Sequence, residues 1–279
     1  VPYADAFATD VSPSGQQIGL YLSTRINPLT DLYVETGLRH DRATWSDDEL
    51  WSPRLSAAYS ISPRTTLRGG WGRYYQSQFI NELDVHHAAT QFDPAELSTH
   101  YVVGVEHNFA SGIHLRVDGY TKDITRLSDA YQNLRDPWEV FPEARNDVVL
   151  IDYEDANARG IELFLKYDQG DKVSWWLSYA RARAEETITS LEFDGLLDEQ
   201  IGTLRRINNQ DHTIYADINY RPTPRWHINL SWQYYTGWPL TSYTYVANRP
   251  FSEPQAEDLH MAAAHNLFRG EDYPAYHRM

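Results

Sequence analysis

Cysteine is absent from the 279 residues, and methionine occurs only twice. No disulfide staples this chain and no thiolate serves as nucleophile or metal ligand. A long apolar run is missing as well. The longest clear one is Val148 to Ile151, against the ~20 consecutive apolar residues that a membrane-crossing helix needs. The opening VPYADAFATD has neither the basic nor the apolar region of a secretion signal. Basic charge is scarce: 24 Lys and Arg stand against 39 Asp and Glu, for a net charge of −15. That balance argues against nucleic acid as a partner, because duplex binding needs a basic face. GxSxG, the phosphate-binding loop and HExxH are also missing, so the common hydrolase and nucleotide-binding chemistries have no motif to rest on. No cofactor is expected.

Aromatic residues, by contrast, are abundant, with 20 Tyr and 9 Trp. In WHINLSWQYYTGW (226 to 238), Trp226, Ile228, Leu230, Trp232 and Tyr234 alternate with His227, Asn229, Ser231, Gln233 and Tyr235. Period-two alternation marks a β-strand with one apolar and one wet face. The pattern recurs at Ile18–Leu22, Leu32–Leu38, Leu55–Ile61, Leu67–Trp71, Tyr101–Val105, Ile113–Val117, Ile161–Tyr167, Val173–Tyr179 and Ile214–Tyr220. Ten strands result, and YPAYHRM (273 to 279) reads as the start of an eleventh. At about 10 to 14 residues each they are longer than ordinary globular strands.

The connections alternate in length. Tight turns are expected at 27–31, 62–65, 109–112, 168–172 and 221–225, where Pro, Gly, Asn and Asp supply turn geometry. Between them fall connections 46–51, 77–96, 127–155, 187–208 and 237–272, several of them long. An up-and-down meander collects all tight turns on one rim and all long connections on the other. The predicted fold is therefore all-β, an antiparallel up-and-down transmembrane β-barrel portion of about 11 long strands. A soluble all-β binding protein is the alternative.

The placement of aromatics favours the membrane. Trp226 and Tyr234 lie eight residues apart on one face, about 26 Å along the strand and about 20 Å along the normal of a tilted barrel wall. Tyr167, Trp175, Tyr220 and Trp226 fall beside tight turns, whereas Trp71, Tyr75, Tyr179 and Tyr234 fall toward long connections. Amphipathic rings prefer the two headgroup levels, so Trp71, Tyr167, Trp175, Tyr179, Tyr220, Trp226 and Tyr234 are expected to contact the lipid interface. Arg73, Arg181 and Arg183 share that outward parity just beyond the upper ring; they are expected either to meet lipopolysaccharide phosphates or to be ordinary solvated rim charge. The five long connections carry 24 acidic and 6 basic residues, a balance of −18. They would form either an electronegative vestibule or merely well-solvated loops.

Two stretches carry a family resemblance. SPRLSAAYSISPRTTLRGGWGRYYQ (52 to 76) and NARGIELFLKYDQGDKVSWWLSYARARAEE (157 to 186) resemble strand–turn–strand units of TonB-dependent outer-membrane receptors, and YPAYHRM is similar to the family's approach to a late strand. The resemblance implies a 22-stranded barrel filled by an N-terminal plug, located in the outer membrane of a Gram-negative bacterium. It also implies import of a scarce small ligand (siderophore, cobalamin or glycan) and coupling to an inner-membrane energy-transducing protein. No plug-like segment is found, so residues 1–279 are expected to be a partial barrel domain, roughly half of the whole. A passive diffusion porin is the rival within the membrane.

Candidate chemistry is sparse. Asp84, His86 and His87 could suggest a metal, but adjacent histidines point apart and a third ligand at suitable spacing is lacking; none is predicted. Glu185 and Glu186 could form an acid–base pair only inside a pocket, and no catalytic residue is predicted. Ligand contacts are expected from Tyr74, Tyr75, Gln76, Gln78 and Asn81 at the start of the 77–96 connection, and from Tyr243 and Tyr245 in the last one.

Overall fold

The computed structural model describes residues 12–83, 90–133, 148–168, 170–193, 196–240 and 271–278. Every regular element among them is a strand. In chain order these are β1 (Gln17–Leu29), β2 (Leu32–Ala43), β3 (Asp48–Ser62), β4 (Thr65–Gln76), β5 (Glu96–Asn108), β6 (Ile113–Thr125), β7 (Ala130–Asn133) and β8 (Val148–Tyr167). They continue with β9 (Val173–Phe193), β10 (Leu196–Arg205), β11 (His212–Thr223), β12 (Trp226–Tyr235), β13 (Pro239–Leu240), β14 (Glu271–Asp272) and β15 (Tyr276–Arg278). One antiparallel sheet runs β1-β2-β3-β4-β5-β6-β8-β9-β11-β12-β15, while β13 and β14 form a separate pair. The eleven-strand meander expected from alternation is present, YPAYHRM included.

Register explains why the pattern was so regular. Leu22 pairs with Leu38, Val34 with Ala57, Leu67 with Val105, Val117 with Leu163, and Ile218 with Leu230. One apolar face therefore runs unbroken across the sheet, since a single-residue slip would have moved a strand's whole stripe to the opposite face. Among the described residues no protein layer covers it. Val103 is 68% exposed and Leu230 58%. The buried apolar residues, Ala43, Leu50, Ala95, Leu97, Ile151, Ala156 and Ile188, all lie near the long-connection ends of their strands. The mid-strand stripe is thus no protein core; its packing partner has to be an apolar medium.

The opposite face is polar and internally paired. Arg25 bonds Glu35 at 2.9 Å, Arg39 bonds Asp41 at 2.6 Å and Arg116 bonds Asp118 at 2.5 Å. Asp217 accepts from Ser231 at 2.5 Å, Asn219 at 2.8 Å and Asn229 at 3.0 Å. Pairing opposite charges on one face contributes to cross-strand stability and leaves few bare charges on this wall. Glycines let long side chains lie flat here. Arg54 reaches across Gly37 to place its guanidinium 4.1 Å from the centre of the Tyr21 ring.

The structure corrects three of the expected connections. Most of 46–51 is strand, since β3 begins at Asp48. Much of 127–155 and 187–208 is strand: β8 begins at Val148 and β9 ends at Phe193. Where β6 and β11 stop, β7 and β10 take over as partners of β8 and β9. Irregularities at Asp152/Tyr153 and Tyr153/Asp155 interrupt the alternation, which hides this extension from a period-two reading. The seven residues of β8 before Asp155, roughly 23 Å, project past its pairing with β6.

Gly160 supplies a test of the inner wall. A Cβ there would lie 2.7 Å from the Arg181 carbonyl oxygen and 2.8 Å from the Tyr120 hydroxyl, whereas one at Gly69 would meet only the Val102 carbonyl at 4.0 Å. Gly160→Val should lower stability by about 2 kcal/mol, a usual cost of overpacking, and Gly69→Ala should stay within about 0.5 kcal/mol. Thermal unfolding of the full-length protein measures both.

Candidate functional site

Along the long-connection rim, polar contacts among the described residues tie stretches of chain together within and between hairpins. Trp45 donates its indole N–H to the Gln78 carbonyl at 2.9 Å. The backbone N–H of Ala95 reaches Asp48 Oδ1 at 3.4 Å, and Asp48 is itself held by Ser46 at 2.6 Å. Gln78 and Asp93 bond reciprocally at 3.2 and 2.8 Å. Ser128 N–H donates to Glu96 at 3.3 Å, and Ser190 to Asp152 at 3.4 Å. Arg206 donates to Glu186 at 3.0 Å, and Arg205 grips Asp272 through two bonds of 3.1 and 2.7 Å.

Several acidic residues of the long connections therefore tie elements together. That is a third role beside the vestibule and the solvated loop. Charge is held under strain in places. Burial keeps the Glu186 carboxyl above its ordinary range although Arg206 pulls it down, and burial also raises the Tyr153 phenol. Asp129 is pushed up to about 6, first by desolvation and then by Asp152 and Asp93.

Beside this network lies a cavity of about 710 Å³, with Trp45, Asp47, Leu83, Gln91 and Phe92 among its lining residues. Trp45 lies in the turn Thr44–Asp47, whose last residue, Asp47, adopts a positive φ of 54°, a conformation that Asp tolerates better than most residues. Two aromatic residues share its lining with amide, hydroxyl and carboxylate groups, and the depression is open to solvent. Sequence reasoning passed over Trp45 and Phe92. Only proximity in space brings them together, although each lies in or beside a long connection.

The predicted contact residues do not converge. Tyr74 lies on the inner face over Gly72, its ring 4.5 Å from that of His100. Tyr75, by register with Leu97, is on the outward face beneath the Arg126 guanidinium. Its outward parity was legible, and it removes Tyr75 from the inner wall. Gln76 ends β4 opposite Glu96. The Gln78 amide is committed to Asp93, and Asn81 is exposed in a turn. Tyr243, Tyr245, Asp84, His86 and His87 lie outside the described residues. Glu185 and Glu186 diverge: Glu185 pairs with Arg183 on the outward face, while Glu186 meets Arg206. No shared pocket makes them an acid–base pair.

The two aromatic levels are on one face. Tyr167 stacks on Trp175 at 6.4 Å near the tight turns, with Tyr220 and Trp226 at the same end of β11 and β12. Tyr179, Ile214, Tyr234 and His277 form one register row toward the long connections, and Trp71 pairs with Tyr101 on their side of the wall. Arg73, Arg181 and Arg183 are exposed and share this outward parity.

The family model for "TonB dependent receptor-like, beta-barrel" matches residues 2–278. The chain belongs to the TonB-dependent receptor β-barrel family. Solved structures of the same fold include the siderophore receptor PirA from Acinetobacter baumannii, 15% identical with a TM-score of 0.61. That likeness covers 94% of this chain and 38% of PirA. A variant of the ferric enterobactin receptor PfeA from Pseudomonas aeruginosa is 13% identical at TM-score 0.59, over 94% and 36% of the two chains. The outer membrane transporter YddB from Escherichia coli is 10% identical at TM-score 0.61, over 85% and 35%. The chain thus spans little more than a third of the length of each. Comparison with curated proteins gave no match. The family resides in the outer membrane of Gram-negative bacteria, and its members are transporters, not enzymes. In that membrane tight turns face the periplasm and long connections the exterior.

The carboxyl group of Asp129 yields a pH dependence. A carboxyl raised from 3.8 to about 6 favours the folded state fully below pH ~4, and this contribution is lost as pH rises through about 6. Asp129 keeps more than a third of its surface in water, so screening leaves about 1 kcal/mol of the effect. Asp129→Asn should therefore raise stability by about 1 kcal/mol at pH 7.5 and make no difference at pH 4, read as thermal unfolding midpoints across that range.

Proposed function

We propose that the chain walls the translocation path of an energy-coupled importer in the outer membrane, and that its long connections help capture a scarce ligand outside the cell. The observation that carries this reading is the sheet itself. An apolar face about as tall as a bilayer core backs a polar, charge-paired inner wall, in a chain of this receptor family. The apolar face is the lipid contact, and Trp71, Tyr167, Trp175, Tyr179, Tyr220, Trp226 and Tyr234 mark its two headgroup levels. Arg73, Arg181 and Arg183 extend that contact to lipopolysaccharide. An N-terminal plug elsewhere in the receptor would link the barrel to the inner-membrane energy-coupling protein.

Among ligand classes the ferric siderophore is favoured over cobalamin or glycan, because PirA and PfeA are by name receptors for such chelates. Aromatic groups are available on the inner wall near the exterior. Tyr235 stacks on Tyr276 at 4.8 Å and donates to the Tyr215 hydroxyl at 2.5 Å, and Tyr74 sits against His100. Trp45 and Phe92 add a second aromatic surface outside.

Uptake of radiolabelled ferric siderophores into cells that carry or lack the gene separates importer from porin. The importer predicts saturable uptake, lost with the gene and abolished when the proton gradient is collapsed. Uptake that rises linearly with concentration and survives collapse of the gradient would establish a passive pore instead.

A further inference from the structure

Three guanidinium groups crowd one spot on the outward face. Arg159 of β8 stands directly opposite Arg183 of β9, and the next outward pair along is Ile161 with Arg181. Across the next seam, His212 of β11 is the partner of Arg181. Like charges directly opposite one another destabilise a strand pair. On the inner face Arg25, Arg39 and Arg116 each have a carboxylate of their own. Here a single one is shared: Glu185 lies 2.7 Å from Arg183 and 3.6 Å from Arg159. Asp123, the outward carboxylate on neighbouring β6, accepts from Asn157 at 2.5 Å. Arg181 has no acidic partner among the described residues, and the side chains of Arg159 and Arg183 are 63% and 55% exposed. The cluster therefore carries excess positive charge facing away from the lumen.

Its height is fixed by the aromatic row beneath it. Tyr179 lies two residues below Arg181, stacks on His212 and shares a hydrogen bond of 2.9 Å with its Nδ1. Just above such a row a bilayer presents phosphate, whose oxygens accept the paired N–H groups of arginine. We infer that Arg159, Arg181 and Arg183 form a binding site for the phosphate of a phosphorylated glycolipid in the outer leaflet. The site rests on the membrane placement proposed above and deepens it. It adds Arg159 and leaves out Arg73, which lies on β4, four strands from Glu185 along the register row.

The full-length receptor in phosphatidylcholine nanodiscs should be titrated with bis-phosphorylated lipid A, dephosphorylated lipid A and inorganic phosphate. Bis-phosphorylated lipid A should bind the double variant Arg159→Gln/Arg183→Gln at least about tenfold more weakly than the native receptor, as loss of charge-assisted bonds predicts. Glu185→Gln removes the competing carboxylate and should tighten binding about threefold, a gain that misfolding could not produce. Unchanged affinity in either variant would overturn the site, and so would dephosphorylated lipid A binding as well as the phosphorylated form. Inorganic phosphate binding as tightly as lipid A would likewise replace the lipid site with a simple anion site. Siderophore uptake by Arg159→Gln/Arg183→Gln should persist, so loss of the lipid site leaves the importer reading standing.

Discussion

A backbone inside hydrocarbon has no water to satisfy its N–H and C=O groups, and each one left unpaired costs several kcal/mol. Everything else in this chain follows from that constraint. The ladder from β1 to β15 proceeds strand by strand, each with its sequence neighbour except where β7, β10 and the β13–β14 pair step aside. Register is held nearly without slips at mid-height, and the irregularities sit at Ile26/Leu29, Ser60/Ser62 and Tyr220/Thr223 beside tight turns, or at Asp152–Asp155 and Glu199/Gly202 toward the exterior. Bulges are tolerated where water can reach them and excluded where it cannot.

The two faces then take opposite duties. Lipid demands only apolar surface, so Leu, Val and Ile suffice there, with aromatic rings where the medium changes. The inner wall has to be wet without presenting a strong field of either sign. It achieves this by pairing Arg with Asp or Glu and by surrounding Asp217 with Ser231, Asn219 and Asn229. The acidic excess of the chain is displaced to the exterior, where Asp48 and Glu96 bind neighbouring connections and Asp93 and Asp152 brace their own. A count of charges could not distinguish that bracing from solvation, because both use the same residues.

What was legible in the sequence is what a uniform medium dictates. Strict alternation in β1 to β6, β11 and β12 reported the lipid face, and the Pro, Gly and Asp turns reported the periplasmic rim. The extension of β8 and β9 escaped that reading because, beyond the membrane, alternation is no longer enforced. Ile151, Ala156 and Ile188 are buried there by protein, and their spacing follows local packing across irregular register. The candidate site escaped for a different reason. Trp45 and Phe92 belong to different connections, and no pattern along the sequence encodes their proximity. Tyr75 and the Glu185/Glu186 pair, however, could have been sorted by parity alone.

The long β8–β9 hairpin has a mechanical meaning. A loop of equal length would be slack and would absorb a push at its tip. This ribbon is laced by hydrogen bonds to β7 and β10 as well as within itself, so it bends as one piece. Below, it is continuous with two adjoining staves of the wall. A body that lands on its outer end therefore meets a braced edge, continuous with β8 and β9 of the wall, instead of a slack loop.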